Sequence, residues 1–167
     1  MTIAFLDVHY TGTGARAACV VAEAWHSPAP LATHVADIAT VQDYEPGAFY
    51  RRELPCLLQV LSLLPTPADV LVVDGYVWLL DAAHPGLGAH LHEATRTPVG
   101  IAKTAFRDAD SAPRVAKVLR GDSQRPLFVT AVGIDASSAA DHVRGMAGEH
   151  RMPTLLAAVD RLARSVA

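Results

Sequence analysis

The chain has 167 residues, 51% of them apolar and 19% charged, with 14 Lys and Arg against 17 Asp and Glu for a net charge of −3. This is the size and make-up of a single globular domain, residues 1–167, with enough apolar surface for a sizeable core. It excludes a protein that binds nucleic acid through bulk positive charge, and no apolar stretch approaches membrane-spanning length.

The opening "MTIAFLDVHY" has no basic lead-in, and Asp7 interrupts its apolar run too early for a signal peptide, so a cytoplasmic protein without membrane contact is expected, with a monomer as the default state. Ile3 to Tyr10 reads as a strand, "TGTG" as a hairpin turn, and "ARAACVVAEAW" as a second strand rich in small and β-branched residues. "LATHVADIA" gives a third strand and completes an antiparallel meander. A helix is expected from about Pro46 to Leu63, with Leu54, Leu57, Leu58 and Leu61 at helical spacing. "DVLVVDGY" is a nearly continuous apolar run, as in a strand buried on both faces. A short helix ("GLGAHLHEAT"), a strand ("PVGIAKTAF"), another strand ("PLFVTAVGI") and two closing helices follow. The order predicts an α/β fold: a mixed sheet flanked by helices. Cys19 and Cys56 lie far apart among apolar neighbours, which favours buried free thiols over a disulfide or zinc site.

Charge is unevenly distributed. Residues 1–95 carry three basic against ten acidic side chains, a balance of −7, whereas residues 96–125 carry seven (Arg96, Lys103, Arg107, Arg114, Lys117, Arg120, Arg125) against three, a balance of +4. A metal site beside a phosphate-contacting surface needs such a division; a solvated face would show it too.

Two aspartates end apolar strands: Asp7 and Asp74. A carboxylate there is costly unless paired, hydrogen-bonded or bound to a cation. If the strands are neighbours, the two can face one another across a hard divalent ion such as Mg²⁺. Glu53, at the start of its helix, can supply a third ligand and Asp160, in "LLAAVDRLA", a fourth. Each also has a plainer reading: a turn at Asp74-Gly75, a helix-start acid, a solvated acid near Arg164. Lys103, ending an apolar strand, is either a surface side chain or a partner for a metal-bound phosphate.

Taken in order, "DVHY" at Asp7, "YEPGAFYRRE" from Tyr44 to Glu53, "DG" at Asp74, "GLGAHL" from Gly86 and "PVGIAK" ending at Lys103 resemble the endonuclease V family. The resemblance implies a ribonuclease H-like fold. It also implies Mg²⁺-dependent cleavage of DNA near deaminated bases, chiefly deoxyinosine, at the second phosphodiester bond on the 3′ side, with inosine-containing RNA as a substrate of some members. Mn²⁺ is expected to substitute. Carried over position by position, it makes Asp7, Asp74, Glu53 and Asp160 the metal-binding acids, Glu53 the catalytic glutamate, and Lys103 the phosphate-facing lysine. Tyr44 becomes the wedge that fills the gap behind a flipped base, with Pro46 and Gly47 shaping its turn. Gly75, His90 and Gly100 fall to substrate binding.

The chain departs from the family pattern in several places. "DGYVWLLDAAHPGLGAHL" replaces the usual Gly-containing stretch and His-Pro-Arg, Arg51 replaces an aromatic, and the late Gly-His and Pro-Thr-Arg are absent. These losses cluster around the base pocket rather than the acids. The competing expectation is a protein that binds modified nucleic acid or nucleotide without cutting it; four retained acids favour the enzyme. A zinc site from His84, His90 and His92 lacks helical ligand spacing, and an acyl hydrolase lacks a Gly-x-Ser-x-Gly elbow.

Overall fold

The computed structural model of the chain describes residues 1–46, 48–79, 84–96, 98–102 and 114–165. One seven-stranded sheet has the order β3-β2-β1-β4-β5-β7-β6. Strands β1 (Ile3–Thr11), β2 (Gly14–Ala22) and β3 (Ala32–Ile38) form the expected antiparallel meander. The first turn is tight: Thr11 pairs with Gly14, and Gly12 adopts a positive φ of 60° that glycine tolerates.

Helix α1 (Tyr50–Leu61) then crosses over, and β4 (Val70–Asp74) returns parallel to β1. Helix α2 (Leu87–Thr95) leads into β5 (Pro98–Ala102), parallel to β4. Strands β6 (Ala116–Val118) and β7 (Leu127–Ala131) close the far edge antiparallel, followed by α3 (Ala136–Arg144) and α4 (Thr154–Arg164).

Strand alternation sorts the core into two layers. Ile3 and Phe5 of β1 and Val72 of β4 pack with Val143 of α3 and with Leu155, Leu156 and Val159 of α4. Ala4 and Leu6 of β1, and Leu71 and Val73 of β4, pack on the opposite face with Cys56, Leu57 and Val60 of α1 and Leu91 of α2. Each fully buried Val, Leu, Ile or Phe among them contributes about 1.5–3 kcal/mol, so both helical layers are anchored to the central strands β1 and β4. The two cysteines are free and buried, as expected. Among the described residues, no helix is long and apolar enough to cross a membrane.

Two elements differ from expectation. Helix α1 starts at Tyr50 rather than near Pro46, because Ala48 N–H bonds back to Glu45 O and Arg51 N–H to Ala48 O, holding the lead-in as turns. The edge strand β6 is only three residues long, "AKV", too short to show a periodic pattern.

Candidate metal centre

The registered ladder between parallel strands β1 and β4 ends at Leu6 opposite Val73. Asp7 and Asp74 follow immediately, side by side at the carboxyl ends of neighbouring strands, where α/β sheets place their sites. Both are half-buried. By alternation they lie on the same face as Phe5 and Val72, the face that α3 and α4 cover.

Glu53 reaches this point from α1. Its residue is 8% exposed, and it lines a small cavity with Asp7, Asp74, Leu6, Val8, Leu57, Val73 and Leu87. The cavity volume is ≈ 10 Å³, space for one water-sized particle. Burial chiefly, and then the charges of Asp7 and Asp74, push the Glu53 carboxyl up to about 8, with the Tyr10 hydroxyl and Arg52 opposing them. The helix N-terminus favours an acid here, but desolvation and like charge outweigh it. A hard cation among these oxygens would reverse both effects, so the donor set fits a divalent ion of the Mg²⁺ type. Among the described residues, no group of three or more His, Cys, Asp or Glu side chains already has the arrangement to hold a metal ion.

Two neighbours of Glu53 escape a motif-based reading. The Arg52 guanidinium stacks over the Tyr10 ring at 3.9 Å from its centroid. Arg52 Nε is buried without a hydrogen-bond partner, and the buried Tyr10 hydroxyl lies close enough to Glu53 to lower that carboxyl's pKa. The available signal was their spacing: Tyr10 lies three residues past Asp7, and Arg52 directly precedes Glu53.

Asp160 sits on α4, half-buried, and both its carboxylate oxygens accept from Arg164 Nε one turn on, at 3.2 Å. The helix runs with its carboxyl end toward the Asp7 end of β1. Arg16, opposite His9 in the β1–β2 register, donates to the Ser165 carbonyl just beyond α4 while its guanidinium grips Asp37 at 2.6 and 3.0 Å. Asp160 thus belongs to the α3–α4 layer, whereas the cavity that Asp7 and Asp74 line with Glu53 is bordered by Leu57 and Leu87 of the opposite layer.

The aromatic lead-in to α1 is open. Tyr44 is 59% exposed and Phe49 43%, with ring centroids 6.4 Å apart. Pro46 is exposed, and a Glu45–Arg51 ion pair at 2.9 Å ties the turn to α1. His90 of α2 stacks on Tyr50 at 3.5 Å, and burial lowers its pKa. It therefore faces α1, not His84 on the exposed loop before α2.

Gly75 N–H is shared between Val73 O and Ile101 O at 3.0 and 3.1 Å, which turns the chain sharply after Asp74. Gly100 is required as glycine by the chain itself. A Cβ there would stand 2.5 Å from Gly75 O and 3.0 Å from Val77 N, so the chain's own next turn occupies that space. Val77 N–H is in turn held by the buried Thr130 hydroxyl at 2.7 Å. Gly47 and Lys103 lie outside the described residues, as does Arg107. Of the other basic residues in the 96–125 segment, Arg120 does not face a phosphate surface. It is buried and donates to the carbonyls of Met146, Gly148 and His150, pinning the loop before α4.

Known proteins share this plan. The family model Endonuclease V matches residues 1–161. An endonuclease V of Xanthomonas axonopodis pv. citri is 32% identical over 184 residues, covering 96% of this chain and 76% of that protein. One from Xanthomonas oryzae pv. oryzae is 41% identical over 106 residues, 61% of this chain; the chain spans 43% of that relative's length. The crystal structure of endonuclease V from Streptomyces avermitilis superposes with a TM-score of 0.76 at 26% identity, covering 98% of this chain and 80% of that one. Ciona intestinalis endonuclease V, in complex with a 24mer DNA containing an inosine followed by a ribo-adenosine, gives 0.77 at 18% identity, covering 98% and 84%, and shows the fold alone. The mixed seven-stranded sheet with four helices is the ribonuclease H-like fold of these structures.

Proposed function

This chain belongs to the endonuclease V family, and on that premise we propose that it is a metal-dependent endonuclease acting on the 3′ side of a deaminated base, inosine, in DNA. The observation that carries the reading is Glu53. A nearly buried carboxyl lines the same small cavity as two aspartates from adjacent strand ends, and each aspartate raises its pKa. Three acids in that space repel one another unless a cation lies among them.

Asp7, Asp74, Glu53 and Asp160 would hold Mg²⁺ or Mn²⁺. Such an ion, when bound, polarises the scissile phosphate and lowers the pKa of a bound water. The chain's own groups supply the rest. Lys103, the residue after Ala102 at the end of β5, would balance charge on the phosphate. Tyr44, exposed at the tip of its turn, would fill the gap left by an extruded base, with Pro46 and Gly47 fixing its approach. Gly75, Gly100 and His90 would border the substrate on the α2 side.

The test is a panel of labelled DNA and RNA oligonucleotides, with and without inosine, incubated with Mg²⁺ or Mn²⁺. Nicking at the second phosphodiester bond 3′ to inosine is expected, abolished in Asp74→Ala. If every oligonucleotide stays intact with both metals at high protein concentration, the nuclease reading fails. Retained inosine-dependent binding would then identify a protein that recognises modified nucleic acid without cutting it.

A further inference from the structure

The turn that follows Asp74 carries two aromatics with different fates. Tyr76 is buried against Phe128, with Leu79 and Val115 beside them. Trp78 stays half-buried and, among the described residues, joins none of the three apolar clusters. An indole is a large apolar surface to leave outside a core, and its placement calls for a partner.

The ring is nonetheless held in place. Val77 N–H donates to the buried Thr130 hydroxyl at 2.7 Å, and the Trp78 indole N–H donates to Ala131 O, at the end of β7, at 3.2 Å. The Trp78 backbone also bridges to Pro85. Over the ring, 5.5 Å from its centroid, lies the guanidinium of the exposed Arg114. Four residues of chain span at most about 14 Å, so this anchored indole stands within a short reach of the Asp74 carboxylate.

We propose that Trp78 and Arg114 form a stacking platform for a base of the bound DNA strand beside the inosine, the base lying on the indole face and the guanidinium on the neighbouring phosphate. The inference rests on the reading of the chain as a nuclease. An indole face takes any base, and arginine is the cation suited both to stack on an aromatic and to pair with phosphate. An exposed cation–π contact is weaker than a base–aromatic stack, so an arriving base displaces the guanidinium rather than being excluded by it. Charge agrees: Arg114 lies in the segment 96–125, whose balance is +4, and Lys117, three residues on, is exposed as well.

The chain has two tryptophans, and Trp25 is 6% exposed and stacked on His142, so Trp78 is the indole a strand can reach. An inosine-containing single-stranded DNA oligonucleotide is expected to quench the parent's tryptophan emission, and the quench should be lost in Trp78→Phe. With Mn²⁺, Trp78→Ala should raise KM for that oligonucleotide about tenfold, within the range for one stacked base, and change kcat far less; Trp78→Phe, which keeps a ring, should restore most of KM. Arg114→Gln should lower the salt dependence of binding by about one phosphate contact. Binding that leaves the parent's emission unaltered, an unchanged KM in Trp78→Ala, or a loss that falls on kcat alone would make Trp78 a packing residue and overturn the inference while the nuclease reading stands. A parent that neither binds nor cuts the oligonucleotide would overturn both.

Discussion

Asp7 and Asp74 stand next to each other on parallel strands, one step past the last registered pair, Leu6 and Val73. Adjacent strands lie roughly 4.8 Å apart, so two carboxylates so placed repel unless something positive intervenes. Each also ends an apolar stretch whose preceding residues are locked into opposite helical layers, which leaves the pair little freedom to separate.

Replacing either aspartate should therefore separate stability from activity. Asp7→Asn and Asp74→Asn are expected to leave the ion-free Tm unchanged or raised, because they relieve like-charge repulsion. Nicking of inosine-containing oligonucleotides should fall on the order of 10²–10³-fold, as when a developing charge loses a stabilising group. Gel-resolved cleavage rates and melting curves on the same preparations check this.

Glu53 makes ion-free stability pH-dependent in a direction opposite to that of an ordinary paired acid. Its carboxyl titrates near 8 when folded against an ordinary 4.5. Between those values the folded chain holds a proton that the unfolded chain has released. Stability should thus fall as pH rises through that window, by up to about 1.4 kcal/mol per unit from this group, and level off above it. In chelator, the Tm of the parent relative to Glu53→Gln should decline from pH 5 to 8; with saturating Mn²⁺ the decline should disappear.

Much of this was legible beforehand, and the gaps have physical causes. Asp7 and Asp74 stand out because an acid at the end of "IAFL" or "VLVV" contradicts its apolar setting, and Glu53 because it opens a leucine-spaced helix. The parallel β1–β4 pairing that brings the aspartates together is long-range, and local periodicity does not encode it. The same is true of Arg120: on the chain it looks like one of seven cations in a basic stretch, whereas in the fold it is buried against three carbonyls of the 146–150 loop. Tyr10 illustrates the limit most clearly. Alternation assigns its face, but only the docking of α1 places Arg52 over the ring.

The turn after Asp74 depends on packing remote from the acids. Thr130→Val keeps the side-chain shape but strands the buried Val77 N–H, which the threonine hydroxyl now accepts at 2.7 Å. Leaving such a donor unsatisfied costs about 1–3 kcal/mol, so a lower denaturant midpoint is expected with an unchanged m-value. Cleavage should also slow, because Gly75 to Val77 seats directly on Gly100 beside the centre.

Tyr44 is expected to matter only where a helix must be opened. Tyr44→Ala should weaken binding to inosine-containing duplex by about 1–3 kcal/mol, the scale of one base–aromatic stacking contact, and affect single strands less. Equal losses on both, measured by fluorescence anisotropy at one salt concentration, would argue against a wedge.

The central claim is that Asp7, Glu53, Asp74 and Asp160 converge on one divalent ion. Anomalous diffraction from crystals grown with Mn²⁺ tests it directly. The account predicts one peak with carboxylate oxygens of Asp7, Asp74 and Glu53 at about 2.0–2.6 Å and Asp160 turned from Arg164 toward it. A map with no manganese between the β1 and β4 ends, or with the ion held elsewhere on the chain, would contradict it.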